Sequence, residues 1–202
     1  MRHTTPSPQP LLFSFPTPLG QAAMAASKLG LCRLWLPGSQ QIPPSTGFYG
    51  LSSTGADSYL PTVPAPEADI QLLLRESLEG IATRIAAHLG GELSFFTDIP
   101  LDLTHVGPFQ QEVYTWLRFN VLPGKTITYG ELASALRRPG AARAVARAMA
   151  CNPVPLIVPC HRVVAAGGKL GGFSGGHGLA TKEALLTLEG AGKRGIESLH
   201  NR

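Results

Sequence analysis

The chain has 202 residues and a mass of 21.3 kDa, which is enough for one domain, or two small ones, with a buried core. A composition of 44% apolar and 15% charged residues excludes wholesale disorder, and no apolar run approaches the roughly 20 residues of a membrane span. The first residues lack an apolar segment of signal-peptide length, and Cys32, Cys151 and Cys160 suit neither a disulfide framework nor a paired zinc site. We therefore expect a cytoplasmic protein with reduced thiols.

Charge is distributed unevenly along the chain. Residues 1–106 carry 5 basic and 8 acidic side chains, whereas residues 107–202 carry 12 basic and 5 acidic ones, a net charge of +7. A compact domain with this charge favours an anionic partner, of which nucleic acid is the usual one. Many basic domains bind no nucleic acid, so charge alone leaves both interpretations open.

The first half of the chain predicts a small α/β module. Short apolar segments at 12–15, 21–27 and 31–36, separated by glycine-containing turns, are typical of antiparallel strands. Apolar residues then recur every three or four positions, which predicts an amphipathic helix over 67–89 that ends at Gly90.

Other parts of the chain predict no regular structure. Residues 1–10 and 37–66 contain too many prolines for a long helix or a central strand, so we expect a disordered tail and a long connection there. Residues 193–202 are expected to form a second tail. No catalytic constellation is visible in residues 1–106.

The second half predicts two short helices joined by a tight turn. An amphipathic helix begins near 109, and the spacing of Thr128 and Glu131 is that of a capping box, which predicts a helix over 129–138. A Pro-Gly pair ends that helix, and an alanine-rich helix follows over 141–151. This is the shape of a helix-turn-helix, although any αα-corner has it. Alanine carries no amide or carboxylate to read base edges, so DNA binding there would show little sequence preference.

A cysteine and a histidine are neighbours after an apolar segment. Residues 152–158 predict a helix stop and then an extended run, which leads to Pro159, Cys160 and His161. Only the thiolate is nucleophilic, so the adjacent imidazole and the guanidinium of Arg162 favour a reactive cysteine. The alternative is a buried cysteine at the end of a core strand with a surface histidine beside it, because neighbouring side chains on a strand point to opposite faces. Only a turn at Pro159 would let both serve one site.

Further motifs extend this pattern along the second half. They are Gly107-Pro108-Phe109-Gln110, Thr128-Tyr129-Gly130-Glu131-Leu132-Ala133, Ala141-Ala142-Arg143-Ala144-Val145, Asn152-Pro153, Pro159-Cys160-His161-Arg162-Val163, Gly171-Gly172-Phe173-Ser174-Gly175-Gly176 and the terminal helix Lys182 to Glu189. With these motifs, residues 107–190 closely resemble the C-terminal domain of the O6-alkylguanine-DNA alkyltransferases, also called methylated-DNA-protein-cysteine methyltransferases. The first half is similar only through Pro18-Leu19-Gly20 and the segment 96–103.

The resemblance implies an α/β (α+β) fold with two domains. A small ribonuclease-H-like α/β domain would cover 11–106 and contain the proline-rich insertion, and a mostly helical DNA-binding domain with a helix-turn-helix would cover 107–192. The implied partner is double-stranded DNA that contains O6-alkylguanine, contacted through the minor groove. No cofactor, no metal and no membrane are expected, and the protein is expected to be a monomer.

The resemblance also implies a reaction. Cys160 would accept the alkyl group of O6-methylguanine in an SN2 step that leaves a thioether, so each molecule reacts once; activity on O4-methylthymine is left open. His161 would take the thiol proton through a water, and Glu189 would hold its tautomer. Tyr129 would donate to the leaving guanine, and Asn152 would tie two segments together. Without the resemblance, Glu189 could equally be a solvated glutamate, Tyr129 a half-buried tyrosine at a helix start and Asn152 a helix C-cap.

A second set of residues is implied in binding a nucleotide that leaves the stack. Arg143 would fill the gap in the duplex while the helix 141–151 lies in the minor groove. Val163 and Ser174 would line the guanine pocket, Met149 would lie against the base, and Lys182 belongs to the same binding set. Phosphate contacts are assigned to Arg137, Arg138 and Arg147. The plain alternatives are a core methionine and solvated arginines.

Two other functions fit parts of the sequence. A lesion sensor that binds without transfer is one, but such relatives replace the acceptor cysteine, which is present here as Cys160. A cysteine hydrolase is the other, and it would turn over. Three departures from the family pattern are a longer loop at 177–181, Phe173 in place of a tyrosine common in relatives, and the additional thiol of Cys151.

Overall fold

A computed structural model describes residues 10–40, 42 and 65–191, without the side chains of 65–76. Most of the predicted N-terminal tail and of the proline-rich connection, and the whole predicted tail 193–202, lie outside the described residues. Within the described part, five α-helices combine with a three-stranded and a two-stranded sheet, which confirms a mixed α/β class. Among the described helices, none has the length and hydropathy that crossing a bilayer requires.

The N-terminal sheet has three antiparallel strands in chain order. They are β1 (Leu11–Thr17), β2 (Gly20–Ser27) and β3 (Gly30–Trp35). Gly20 and Gly30 adopt φ angles of 118° and 139°, which side-chain-bearing residues rarely tolerate, and so permit the two tight turns. The predicted sheet is therefore confirmed, and the middle of its central strand, residues 22–26, is buried.

Helix α1 (Ala65–Leu89) packs against β1. Its buried positions among the described side chains are Leu78, Ala82, Ile85, His88 and Leu89. The helix ends where the Gly90 N–H donates to the Ala86 carbonyl at 2.9 Å. The predicted helix over 67–89 and its glycine stop are thus confirmed, and a histidine shares the apolar face.

The described part of the second half, residues 107–191, contains four α-helices and a parallel pair of short strands. The helices are α2 (Pro108–Asn120), α3 (Tyr129–Ala135), α4 (Ala142–Ala150) and α5 (Leu179–Leu188), and the strands are β4 (Ile127–Thr128) and β5 (Val163–Val164). The buried Tyr114 hydroxyl donates to the Ala148 carbonyl at 2.6 Å, which fastens α2 to α4.

Helix α3 begins at the predicted capping box. Thr128 Oγ1 accepts from the Glu131 N–H at 3.1 Å, and Glu131 Oε2 accepts from the Thr128 N–H at 2.7 Å. The helix ends at Ala135, earlier than the predicted end at Arg138, because Arg137 turns into the left-handed region with φ 57°. A Pro-Gly turn then leads into α4, as predicted.

The predicted extended run at 152–158 is wrong. Its two prolines, and the proline that follows, have no N–H to contribute to a sheet ladder. Leu156 adopts φ 73°, and the Val158 N–H donates back to the Val154 carbonyl at 2.9 Å. The segment is a buried turn instead of a strand, so it reverses the chain just before the cysteine.

One hydrophobic core joins the two halves of the chain. It includes Met24 and Ile85 from the first half and Leu117 and Leu185 from the second. A backbone bond from the Leu34 N–H to the Pro153 carbonyl, 2.9 Å long, attaches β3 to the buried turn. The first half therefore supports the segment that carries the predicted nucleophile.

Thr128→Ala is expected to destabilise the protein by about 1 kcal/mol, because it removes the side-chain cap of α3. Chemical denaturation followed by circular dichroism would measure this change. Thr126→Ala, at an exposed position two residues earlier, is the matched control and should change the free energy of unfolding by less than about 0.5 kcal/mol. Equal effects of the two substitutions would contradict the capping role.

Candidate active site

The predicted nucleophile begins a short 3-10 turn. Cys160, His161 and Arg162 form this turn directly after Pro159. Their exposed fractions are 5%, 0% and 5%, so all three side chains are buried. The turn at Pro159 that a shared site requires is present, and the alternative with a surface histidine is wrong.

Asn152 connects the end of α4 to the sulfur. Its Nδ2 donates to the Val158 carbonyl at 2.9 Å and to Cys160 Sγ at 3.1 Å, and its Oδ1 accepts from the Val154 N–H at 3.1 Å. One side chain thus closes the buried turn and holds the thiol. A hydrogen bond donated to sulfur favours the thiolate.

The protonation of Cys160 is set by opposing influences. Burial raises the pKa of the thiol, whereas the Asn152 amide and the ammonium of Lys182 lower it. The group is therefore a shielded thiol with thiolate-stabilising partners already in place, and a base is needed to take its proton.

The imidazole of His161 is oriented by Glu189. His161 Nε2 lies 3.0 Å from Glu189 Oε1, and because an ionised carboxylate only accepts, this nitrogen carries the proton. Nδ1 is then unprotonated, and it is buried without a hydrogen-bond partner among the described residues. Burial lowers the pKa of His161 against the opposing effect of the carboxylate. The ring is a neutral base with Nδ1 free to bind a water.

Glu189 is a buried carboxylate with several donors. Arg162 donates to it twice, from Nε to Oε2 at 2.9 Å and from Nη2 to Oε1 at 2.7 Å. His161 and His88 approach Oε1 with their Nε2 atoms at 3.0 and 3.3 Å. Burial opposes the charge, but the hydrogen bonds from His161 and Arg162, together with the nearby N–H of His88, outweigh it and hold the pKa of this carboxyl well below its usual range. The alternative of a solvated glutamate is wrong.

Two contacts of Glu189 were not predicted. His88 comes from α1, in the half of the chain without a predicted catalytic constellation, and Arg162 pairs with the carboxylate instead of the thiol. A signal for His88 exists, because it follows Ile85 by three positions on an apolar helix face, where a polar residue needs a buried partner. Nothing in the sequence identifies that partner.

Lys182, in the first turn of α5, is completely buried. Its Nζ donates to the Val163 carbonyl at 2.6 Å and to the Gly172 carbonyl at 3.4 Å. Burial lowers the pKa of the ammonium to about 8, with the Cys160 charge opposing this effect. Lys182 therefore links β5 to the glycine-rich loop, and its positive charge favours the thiolate form of Cys160. The Val163 carbonyl, predicted to line the guanine pocket, accepts from this ammonium.

Three other predicted residues lie around the glycine-rich loop and α4. Tyr129 is half-buried; burial and the Cys160 charge raise the pKa of its hydroxyl, against a hydrogen bond from the Gly172 backbone, so the hydroxyl keeps its proton. The Ser174 hydroxyl donates to the last carbonyl of α4 at 3.0 Å. Met149 lies on α4 with only 6% of its surface exposed and belongs to the hydrophobic core.

The predicted DNA-contacting arginines are not brought to the thiol. Arg143 and Arg147 are exposed on α4, and Arg137 is exposed before it. Arg138 instead pairs with Glu112 at 2.8 Å. These side chains form the exposed, basic part of the second half.

Chemically, the site combines a shielded nucleophile, a neutral base and a buried ammonium. Within the part of the chain that the structure describes, no group of His, Cys, Asp and Glu could hold a metal ion. A cavity of about 360 Å³ lined by Gln111, Tyr114 and Arg118, among others, includes none of the predicted site residues.

Sequence comparison extends over the second half and part of the first. A family model described as "6-O-methylguanine DNA methyltransferase, DNA binding domain" matches residues 108–191. Methylated-DNA-protein-cysteine methyltransferases of Mycolicibacterium paratuberculosis and Shigella flexneri are 46% and 41% identical, each over 111 residues. The matches cover 54% and 55% of this chain and 64% and 63% of those proteins. The chain thus matches less than two thirds of the length of these curated relatives.

Solved structures match over almost the whole chain. The crystal structure of Mycobacterium tuberculosis OGT in complex with DNA is 32% identical with a TM-score of 0.62, and the match covers 94% of this chain and 99% of that one. The O6-methylguanine-DNA methyltransferase of Pyrococcus kodakaraensis is 26% identical with a TM-score of 0.56 over 90% of this chain and 99% of its own.

On this fold a buried cysteine lies beside a histidine that a glutamate orients, which is the arrangement of a protein with a cysteine nucleophile. The chain belongs to the 6-O-methylguanine DNA methyltransferase family.

Lys182→Met removes the buried ammonium and is expected to raise the pKa of Cys160, because that ammonium lowers it in the intact protein. The pH of half-maximal alkylation of Cys160 by iodoacetamide should move upward. Mass spectrometry of the Cys160 peptide, with Cys32 and Cys151 replaced by serine, gives the readout. Lys169→Met, at an exposed position, should leave the midpoint in place; a midpoint unmoved by Lys182→Met would disprove the electrostatic role.

Proposed function

We propose that this chain repairs DNA by transferring the methyl group of O6-methylguanine to Cys160, once per molecule, as a methylated-DNA-protein-cysteine S-methyltransferase. The observation that carries the proposal is the buried thiol bonded to Asn152, beside a His161 that Glu189 holds in the base tautomer. Relatives that are 41–46% identical bear this enzyme name, and the M. tuberculosis relative was crystallised with DNA.

The proposed reaction is one SN2 displacement. His161 Nδ1 takes the thiol proton through a water, and the sulfur attacks the methyl carbon. The S–C bond forms as the C–O bond breaks, and the electron pair of that bond stays on the guanine, which finally regains one proton. Tyr129 donates a hydrogen bond to the leaving base. The product is S-methylcysteine, a thioether that water does not cleave, so the protein is consumed.

The surrounding charges favour the attacking form of the sulfur. Asn152 donates to Sγ at 3.1 Å, and the completely buried Lys182 contributes a positive charge within the same shielded region. Fixed donors in a water-poor site stabilise charge without having to reorganise during the reaction.

The substrate must be presented outside the duplex. A guanine within the stack cannot bring its O6 substituent to a buried sulfur, and its extrusion costs roughly a few kcal/mol. Arg143, exposed in the first turn of α4, fills the vacated position, and the small alanine side chains of α4 let that helix approach the minor groove. Met149, Val163 and Ser174 border the pocket for the extruded base.

The proposal includes a finer description of the fold. Helices α3 and α4, with the Pro-Gly turn between them, act as a helix-turn-helix whose partner is double-stranded DNA. The three-stranded sheet and α1 belong to a ribonuclease-H-like N-terminal domain over 11–106, and the DNA-binding domain covers 107–192. The concentration of basic residues in the second half supports this assignment.

Mixing the protein with a duplex that contains O6-methylguanine should increase its intact mass by about 14 Da, one methylene. Intact-mass spectrometry should show the full increase with one equivalent of duplex and none with a second. Cys160→Ala should abolish the increase, and Cys151→Ser, which replaces the exposed neighbouring thiol, should keep it. DNA binding without a mass change would indicate a lesion sensor, and repeated turnover would indicate a hydrolase.

Arg143→Ala is expected to slow methyl transfer from duplex DNA by about tenfold, because nothing then offsets the cost of base extrusion. Reaction with the free base O6-benzylguanine, which has no stack to leave, should keep its rate. Second-order rate constants for both substrates test this expectation. Arg33→Ala, at an exposed position on β3, is the matched control. Equal losses on duplex and free base would argue against a stack-filling role.

A further inference from the structure

We propose that His88 is a positioning residue for methyl transfer, through which helix α1 holds the catalytic carboxylate. This inference rests on the proposed function and adds a residue from the first half of the chain to it. His88 lies in the last turn of α1 and is completely buried.

The tautomer of His88 follows from its backbone neighbour. The Ser94 N–H donates to His88 Nδ1 at 3.1 Å, so this nitrogen accepts and the ring proton is on Nε2. The ring also contacts Phe96, with 5.3 Å between the ring centroids. His88 is thus held in one orientation, and its Nε2–H faces Glu189 Oε1 at 3.3 Å.

Glu189 is approached from two sides by elements distant in sequence. His161 and Arg162 reach it from the 3-10 turn, and His88 reaches it from α1. These three are the titratable and charged side chains around the carboxylate among the described residues. Arg162 fixes the plane of the carboxylate through both oxygens, and His88 directs a further N–H, at a longer distance, towards the oxygen that orients His161. If that oxygen rotated away from His161, the tautomer with its proton on Nε2 would be less strongly favoured, and Nδ1 would be unprotonated in a smaller fraction of molecules.

His88 Nε2 lies within ion-pair distance of Glu189 Oε1, but it is buried without a well-formed hydrogen bond to any of the described residues. An N–H at this distance stabilises the Glu189 carboxylate only modestly. Its removal should therefore lower the rate of methyl transfer by about tenfold without abolishing the reaction. A buried imidazole that served only packing would need no acceptor at this position.

The test compares two substitutions of His88 in the full chain. His88→Phe keeps an aromatic ring against Phe96 but removes the donor, and the rate constant for transfer from methylated duplex should fall about tenfold. Duplex affinity, measured in a Cys160→Ala background, should stay unchanged. His88→Gln, whose amide can donate near the position of Nε2, should recover most of the rate. His88→Leu is a second donor-free variant if the phenylalanine variant does not fold.

A spectroscopic readout separates positioning from general destabilisation. The ¹⁵N shifts of the His161 ring in the free protein should show a protonated Nε2 and an unprotonated Nδ1, and in His88→Phe the two shifts should move towards each other. Leu89→Ala changes a buried neighbour on α1 whose apolar side chain cannot donate to Glu189, and it should lower Tm but leave these shifts and the rate of the folded protein unchanged.

Two outcomes would overturn the role of His88. One is wild-type rate and wild-type His161 shifts in His88→Phe, and the other is an equal slowing by Leu89→Ala. If the wild-type protein transfers no methyl group, the proposed function fails, and the ring shifts still decide whether His88 controls the His161 tautomer.

Discussion

The site depends on one buried ion pair, Arg162 with Glu189. A carboxylate removed from water is costly unless charge and hydrogen bonds compensate it, and here a guanidinium bonds both of its oxygens. The same guanidinium donates from Nη1 to the Val121 carbonyl at 2.6 Å, just after α2. The end of α5, the 3-10 turn, the end of α2 and, through His88, the end of α1 therefore converge on one anion. The guanidinium also offsets the unfavourable position of an anion at the C-terminal end of a helix.

The nucleophile is held between opposing influences. Burial protects the thiol and disfavours its charge, whereas the Asn152 amide and the Lys182 ammonium favour the thiolate. Such a sulfur is inert towards most of its surroundings and becomes reactive when a base and a correctly placed electrophile are both present. This combination suits the proposed single reaction, because unspecific alkylation would waste a protein that reacts only once.

The first half of the chain supports the site at three places. The Leu34 N–H bonds the buried turn, His88 approaches Glu189, and the Ser39 hydroxyl accepts from the Gly176 N–H at 3.2 Å in the glycine-rich loop. These contacts reach the segment before the nucleophile, the carboxylate and the loop, respectively. The half with the weaker sequence similarity is therefore part of the framework that orients the reacting groups, and the full-length structural similarity to the M. tuberculosis protein agrees with such a shared framework.

The sequence by itself determined the features that are encoded locally. Short apolar segments, the helical period before Gly90 and the capping box at Thr128 were sufficient for the sheet, α1 and the start of α3, and the Pro-Cys-His-Arg motif was sufficient to predict the nucleophile that we propose. The end of α3 and the turn at 152–158 were not predicted, because a left-handed Arg137 and the bonds of Asn152 depend on packing. Only the tertiary structure decided that Arg162 pairs with Glu189 and that His88 lies next to the same carboxylate. Such a contact leaves no periodic pattern and no fixed spacing in the sequence. It depends on how helices far apart in the chain pack together and on the cost of leaving a buried charge unpaired.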